Sequence, residues 1–382
     1  MAHKGLARVD DIYQDRDKRA RELSDRGKKV IGYLCCYVPV ELMTALDIVP
    51  YRISGNTREH ITKADAFLET TTCSFVRSCF DLAIKGEYDF LDGLVIPHSC
   101  DTIERLYNIW KYYRRPSYSH FINIPHVLYP ASVSFFREEL DSFKASLEAY
   151  AGRVITRESL ANAVNLHNEN RTLLRQLYQL RKWSPPVVSG SEVLKVLVTG
   201  MSIPVAEHNQ LLREVTEEVT SRVEQHVAQP RRVLLYGSEV DDVGFVRLIE
   251  ECGAEVVMDD LCTGTRCFWE NVATTDDALD GIARRYLEKI KCPRTLRNPS
   301  EEHRQDIENR FGHLIDYCNE YDVDAVVMYT IRFCDTYEFE KPDVMDFLRS
   351  KGIPVLDIED EYSATALERL RTRIQAFFET LS

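Results

Sequence analysis

The 382 residues carry a formal net charge of −13 and 44% hydrophobic side chains, with an isoelectric point near 5.4, which provides for real cores and excludes the clustered Lys and Arg of a nucleic-acid surface. No uninterrupted apolar run is long enough to span a membrane, and the opening "MAHKGLARVDDIYQDRDKRARELSDRGKK" is charged from its start, without the apolar stretch of a secretory signal. The expected setting is the cytoplasm, where thiols stay reduced, so the 11 cysteines read as buried core thiols or metal ligands rather than disulfides.

Residues 10–28 read as an exposed amphipathic helix. A strand follows in "KVIGYLCCYVP", a helix in "VELMTAL" and a short strand in "IVPYRIS". "TTCSFVRSCFDLAIKGEYDF" predicts a helix opening near Cys73. Next come strand "LDGLVIPHS", helix "DTIERLYNIWKYY" and strand "HFINIPHVL", then long helices over 132–151 and 156–182. "KWSPPVVSGSE" breaks the pattern and reads as a linker at 183–192. The alternation resumes with helix 205–224, strand "RRVLLYGSEV", helix 243–252, strand "AEVVMDDL", helices 276–290 and 300–320, strand "DAVVMYTIR", helix 342–350, strand "IPVLDIE" and a last helix to 381. Short, continuous Val/Ile/Leu strands separated by helices mean parallel sheets covered on both faces. The expectation is α/β, with two doubly wound parallel-sheet domains: a helical segment at 1–28, a first domain with a helical extension at 29–182, and a second domain at 193–382.

Two stretches echo each other. "EYDFLDGLVIPHSCDT" (87–102) and "EYDVDAVVMYTIRFCDT" (320–336) both begin Glu-Tyr-Asp, pass through a strand and end Cys-Asp-Thr. In open α/β sheets, ligands sit beyond the carboxyl ends of strands, where Cys100 and Cys334 lie. Cys73 stands just before a helix, whose dipole and free N–H groups favour a thiolate. Three such thiolates could converge in the interdomain cleft. Their spacings of 27 and 234 residues exclude a zinc ribbon or a ferredoxin run, whose ligands come in close pairs. A [4Fe-4S] cluster on three thiolates would leave one iron open to act as a Lewis acid. The competing reading is that these are small buried hydrophobes, as cytosolic thiols usually are. Cys35 and Cys36, at a strand end, are the first reserve ligands, and Cys262 and Cys267, flanking "TGTR", come next. Cys252 and Cys318 fall in helical patterns and read as core, and Cys79 is two helical turns from Cys73, too far to share one cluster easily.

"GYLCCYVPVELMTALDIVPYRISG", "CSFVRSCFDLAIKGEYDFLDGLVIPHSCD", "DDLCTGTRCFW", "RRYLEKIKCP", "FCDTYEFEKP" and "GIPVLDIEDEY…LRTRIQAFFE" together resemble the 2-hydroxyacyl-CoA dehydratase family, which includes benzoyl-CoA reductase catalytic subunits and double-cubane cluster proteins. The similarity runs from Lys29 to Glu379, with a looser middle around 115–230. The resemblance implies a [4Fe-4S] cluster, or a double-cubane [8Fe-9S] cluster, on the cysteines that match Cys73, Cys100 and Cys334. It implies a partner, either a homologous second subunit in a heterodimer or a second copy in a homodimer, and a separate ATP-dependent iron–sulfur activator protein. Members reduce acyl-CoA thioesters with single low-potential electrons. In the dehydratases a transient ketyl radical expels the 2-hydroxyl, and in the benzoyl-CoA reductases the aromatic ring is reduced. The absence of a GxxxxGK(S/T) loop agrees with a separate ATPase. A non-catalytic electron-relay subunit, and a plain α/β binding domain with buried thiols, are the alternatives from other classes.

Other residues carry two readings each. Arg266, Arg52 and Arg332, near strand ends, could meet a CoA phosphate or the cluster's anionic surface, or form salt bridges. Glu41 could act as an acid or cap a helix start. His98 could donate a proton or be an ordinary loop histidine. Asp101 and Asp335 are expected to cap the segments that follow their cysteines. "YNIWKYYRRPSYSHF" could stack an adenine, but an amphipathic helix and turn explain it with less.

Overall fold

The computed structural model describes residues 5–222, 230–275, 277–293 and 302–381. The chain forms strands β1 (Val30–Tyr33), β2 (Val49–Arg52), β3 (Gly93–Pro97) and β4 (Tyr118–Ile122), then β5 (Arg231–Gly237), β6 (Ala254–Asp260), β7 (Ala325–Ile331) and β8 (Val355–Asp360). They make two four-stranded parallel sheets, ordered β2-β1-β3-β4 and β6-β5-β7-β8. The architecture is α/β with two domains of the same strand order. In each, the winding reverses between the first and third strands, which opens a crevice at their carboxyl ends. β3 and β7 therefore hold equivalent places, and the repeated Cys-Asp-Thr follows both.

Alternate residues of a strand face opposite sides of a sheet, and here they fall into different cores. Leu94 and Ile96 of β3 join Val233, Leu235, Val327 and Tyr329 of the second sheet in one core shared by the two halves. Val95 packs on the other side with Phe136, Leu140 and Phe143. Leu234, Tyr236, Val326 and Met328 pack outward with Leu211, Phe311 and Leu314. A buried ion pair also crosses between the halves: Arg52, ending β2, donates to both Glu239 oxygens at 2.9 and 3.1 Å, just after β5.

Several boundaries differ from expectation. The amino-terminal helix is two helices, Gly5–Gln14 and Lys18–Asp25, and it is not exposed: Val9 and Tyr13 are buried and the first helix packs on the helices Gly190–Gly200 and Val205–Thr220. The expected linker 183–192 ends inside the Gly190–Gly200 helix. Ser189 caps it with a reciprocal Ser189–Glu192 capping box, a Ser-x-x-Glu signal present in the sequence. The helix expected at 342–350 begins at Asp335 and carries Pro342 in its interior. Proline at 342 suggests a first turn, but the strand exit at Cys334 starts the helix seven residues earlier. The last residues of helix 205–224, the first residue of helix 276–290 and the first two of helix 300–320 lie outside the described residues. Among the described residues no helix is long and apolar enough to cross a membrane.

Glu41 does not cap its helix. It is fully buried, ion-paired with Arg171 and hydrogen-bonded by the Tyr286 hydroxyl at 2.9 Å, which ties the short Val40–Thr44 helix to the Arg157–Gln179 helix. Burial alone would raise its carboxyl, but the Arg171 charge outweighs this and holds it down at about 2. A depressed carboxyl contributes stability that is present above its unfolded value and lost as pH falls toward the folded one. Arg171→Met leaves Glu41 charged and unpaired, and we expect a loss of about 3–5 kcal/mol in urea unfolding at pH 7. Glu41→Gln/Arg171→Met should recover much of that loss. Equal destabilisation in the single and double variants would show that the pair is not the source.

Candidate functional site

Three helices start at the carboxyl edges of the sheets or beside them, and each starts directly after a cysteine. Cys73 is the N-cap of Ser74–Lys85, Cys100 of Asp101–Arg114 and Cys334 of Asp335–Ser350. The first two come from one half of the chain and the third from the other, and the three thiols are neighbours. Its neighbour Cys334 holds Cys73 below the ordinary thiol value, helped by the N–H groups of Val76 and Phe75, while Cys334 is pushed up by the same partner. Burial pushes Cys100 up to about 12, and the Cys73 charge adds to that. Exposed N–H groups and the positive end of the helix dipole at each start favour anionic sulfur. Phe333, directly before Cys334, is held at φ 65°, a left-handed backbone rare outside glycine.

A second group of thiols adjoins the first. Cys35 and Cys36 follow β1, Cys262 follows β6, and Cys267 lies in the short Thr265–Phe268 helix. Cys36 neighbours Cys262, Cys267 and Cys35, which pushes its own thiol up and theirs down. Cys262 is lowered to about 5, first by Cys36 and then by Arg266 and Arg52. Cys35 is lowered to about 7, first by Cys36. Cys35 also has a left-handed backbone, φ 67°. The Cys262–Cys267 loop closes because residue 264 is glycine: a Cβ there would stand 1.8 Å from Asp259 Oδ1. In the sequence these four cysteines rank only as reserve ligands. Their common signal is position, since three of them directly follow strands β1 and β6. Among the described residues no three sulfurs lie within 4.8 Å of one another, whereas a single tetrahedral ion would draw its thiolates to about 3.8 Å apart. Cys79, Cys292 and Cys318 are buried among core side chains.

The arginines singled out in the sequence face these thiols, not solvent, with one exception. Arg266 is buried, ion-paired with Asp260 at 2.9 Å, bonded to the Gly237 carbonyl and the Tyr337 hydroxyl, and 3.6 Å from Cys262 Sγ. Arg52, paired with Glu239, acts on Cys35, Cys262 and Cys267. The exception is Arg332, which is half-exposed and pairs with Glu359 and Glu361. Another arginine, Arg285, lies in the "RRYLEKIKCP" block, where the sequence gives it no role of its own. It is 3% exposed and donates to the backbone carbonyls of Cys267 and Glu270. A cavity of about 110 Å³ reaches Cys36, Cys267, Arg52 and Arg171.

His98 sits beside the first group but pairs with Glu104 at 3.0 Å, and its ring lies against His126. His98, Asp101 and Glu104 bring their ligand atoms within 4.8 Å of one another. Asp101 and Asp335 are first-turn residues of their helices. They complement the helix dipole. The aromatic run is the expected amphipathic helix and turn: Trp110 is buried, Tyr112 and Tyr113 are exposed, and Arg115 ends the helix in a left-handed conformation.

The family described as "2-hydroxyglutaryl-CoA dehydratase, D-component" matches residues 35–381. The chain is similar to a benzoyl-CoA reductase subunit of Thauera aromatica, 26% identical over 98% of this chain and 97% of the relative. It is similar to the putative dehydratase subunit YjiM of Escherichia coli (strain K12), 30% identical over 94% and 93%. It is also similar to the (R)-phenyllactyl-CoA dehydratase beta subunit of Clostridium sporogenes, 24% identical over 94% of both.

The thiols should differ in reactivity when free of metal. With Cys262 lowered to about 5 and Cys100 raised to about 12, only the former is a thiolate at pH 7. Iodoacetamide at pH 7, followed by peptide mass spectrometry, should modify Cys262 well ahead of Cys100. Equal rates, or Cys100 first, would contradict this electrostatic picture.

Proposed function

The chain belongs to the 2-hydroxyglutaryl-CoA dehydratase D-component family, and from that premise we propose that it is the iron–sulfur subunit of a 2-hydroxyacyl-CoA dehydratase-type enzyme. The observation that carries the proposal is the meeting of Cys73, Cys100 and Cys334, each at a helix start. Three thiols on separate elements, turned together at positive helix ends, fit an iron–sulfur cluster. A bound cluster would supply a store of single low-potential electrons and, at an iron without a protein ligand, a Lewis acid. The chain's own part is to hold thiolate, exclude water and orient the thioester. Phe75, two residues after Cys73, and Tyr362 are buried in edge-to-face contact at 5.4 Å. The names of the relatives support an acyl-CoA substrate and a second subunit, and an ATP-dependent activator supplies the electron.

A second reading of the cofactor has its own observation. Cys35, Cys36, Cys262 and Cys267 form a complete thiol group next to the first. That pairing favours a double-cubane [8Fe-9S] cluster, one cubane on each group, over a single [4Fe-4S].

Iron and sulfide analysis after anaerobic purification separates the readings. Cys73→Ser, Cys100→Ser and Cys334→Ser should each lose most iron with a single cubane, or about half with a double cubane, with unchanged far-UV circular dichroism, because the ligands stand on helix starts outside the packed strands. With a double cubane, Cys36→Ser should remove about half of the iron; with a single cubane it should remove none. Full iron in all three of the first variants would end the proposal. A cluster spectrum that responds to added acyl-CoA supports catalysis, and one that does not respond points to an electron-relay subunit.

The purified chain should hydrolyse no ATP on its own, and its activity should require an added ATP-dependent reductant protein. Robust ATPase activity of the chain alone would contradict the assignment of the activator's role to a separate protein.

A further inference from the structure

The two thiol groups sit in opposite electrostatic surroundings. Three buried guanidiniums face the second group. Arg52 and Arg266 each have one carboxylate partner, Glu239 and Asp260. Arg285 has no ion-pair partner among the described residues, bonding only to the Cys267 and Glu270 carbonyls, and it acts on Cys267. The second group therefore faces net positive charge. Around the first group lie Asp335, which acts on Cys73, and Asp101 in the first turn after Cys100, while Glu104 and Glu338 in the same turns are paired with His98 and Lys341. Arg332, two residues before Cys334, points to solvent and is taken up by Glu359 and Glu361. Backbone N–H groups favour negative charge at the first group as well, but they are dipoles, and a buried whole charge acts more strongly at the same distance.

The reduction potential of an iron–sulfur centre follows the charge, hydrogen bonding and solvent exposure around it. Reduction adds one negative charge, and neighbouring cations favour that form. We propose that Arg52, Arg266 and Arg285 make the Cys35–Cys36–Cys262–Cys267 group the resting place of an electron shared between the two thiol groups. The inference rests on the double-cubane reading above. With a cluster on each group, the step would be a one-electron transfer: the cluster held by the first group, reduced by an external low-potential one-electron donor, would be reoxidised as the cluster held by the second is reduced, with no bond made or broken. The electron then rests beside the cavity that Cys36 and Cys267 line. Arg285 is a positioning residue in this scheme, acting on the electron through the centre its neighbours hold.

Potentiometric titration of the anaerobically purified, iron-loaded chain, followed by electron paramagnetic resonance, tests this. Two one-electron waves are expected, assigned by the wave lost in Cys267→Ser and the wave lost in Cys334→Ser. The Cys267-dependent wave should lie at the higher potential. Arg285→Gln, which leaves no carboxylate unpaired, should move that wave to lower potential and leave the other in place, and Arg285→Lys should restore it. A higher potential for the Cys334-dependent wave, a single wave, or an Arg285→Gln variant in which neither wave moves would each overturn the inference while leaving iron binding intact. A chain that binds no iron would overturn the cluster reading itself.

Discussion

All strands of a parallel sheet end at the same edge, and the connections back to the start of the next strand leave that edge lined with helix N-termini. This protein has two such sheets of matching strand order. Arg52 and Glu239, each just at or past a strand end of a different sheet, meet as a buried ion pair. That contact brings the two edges to face each other. The residues with distinctive chemistry follow: Cys35 and Cys36 after β1, Cys100 after β3, Cys262 after β6 and Cys334 after β7. A functional centre fed by loops so far apart in sequence depends on this edge-to-edge arrangement.

Burying this many polarisable and charged groups is costly unless each is compensated. The compensation is different in the two groups. Helix starts and backbone N–H groups serve Cys73, Cys100 and Cys334, while guanidiniums serve the others. The left-handed residues Cys35 and Phe333 show that the backbone is also strained where it delivers sulfur, as is common where a site demands a conformation the chain would not choose alone.

The fold class was legible because strand period and helix period are local properties. The relation of β3 to β7 was legible because the same tripeptide follows both. Cys73, Cys100 and Cys334 could be singled out by their positions at strand exits and helix starts, and by family resemblance. What local pattern could not supply was pairing across the chain. Arg171 stands 130 residues from Glu41, and nothing near Glu41 points to it, so a helix cap was the natural expectation. Arg285 was missed for a related reason: its stretch reads as an ordinary helix in the sequence, whereas it opens the π-helical turn Arg285–Lys289, and only its arrival at the Cys267 carbonyl makes it part of the site. The Gly190–Gly200 helix was lost to its neighbours, since the prolines at 185 and 186 drew attention away from the capping box at Ser189.

The central claim is that the thiols of Cys73, Cys100 and Cys334 together hold iron. Anomalous diffraction at the iron absorption edge, from crystals grown anaerobically from iron-containing protein, tests it most directly. The account predicts an iron peak within bonding distance of all three sulfurs, at about 2.3 Å from each. Iron located elsewhere, for example on His98, Asp101 and Glu104, with the three sulfurs unligated, would contradict it.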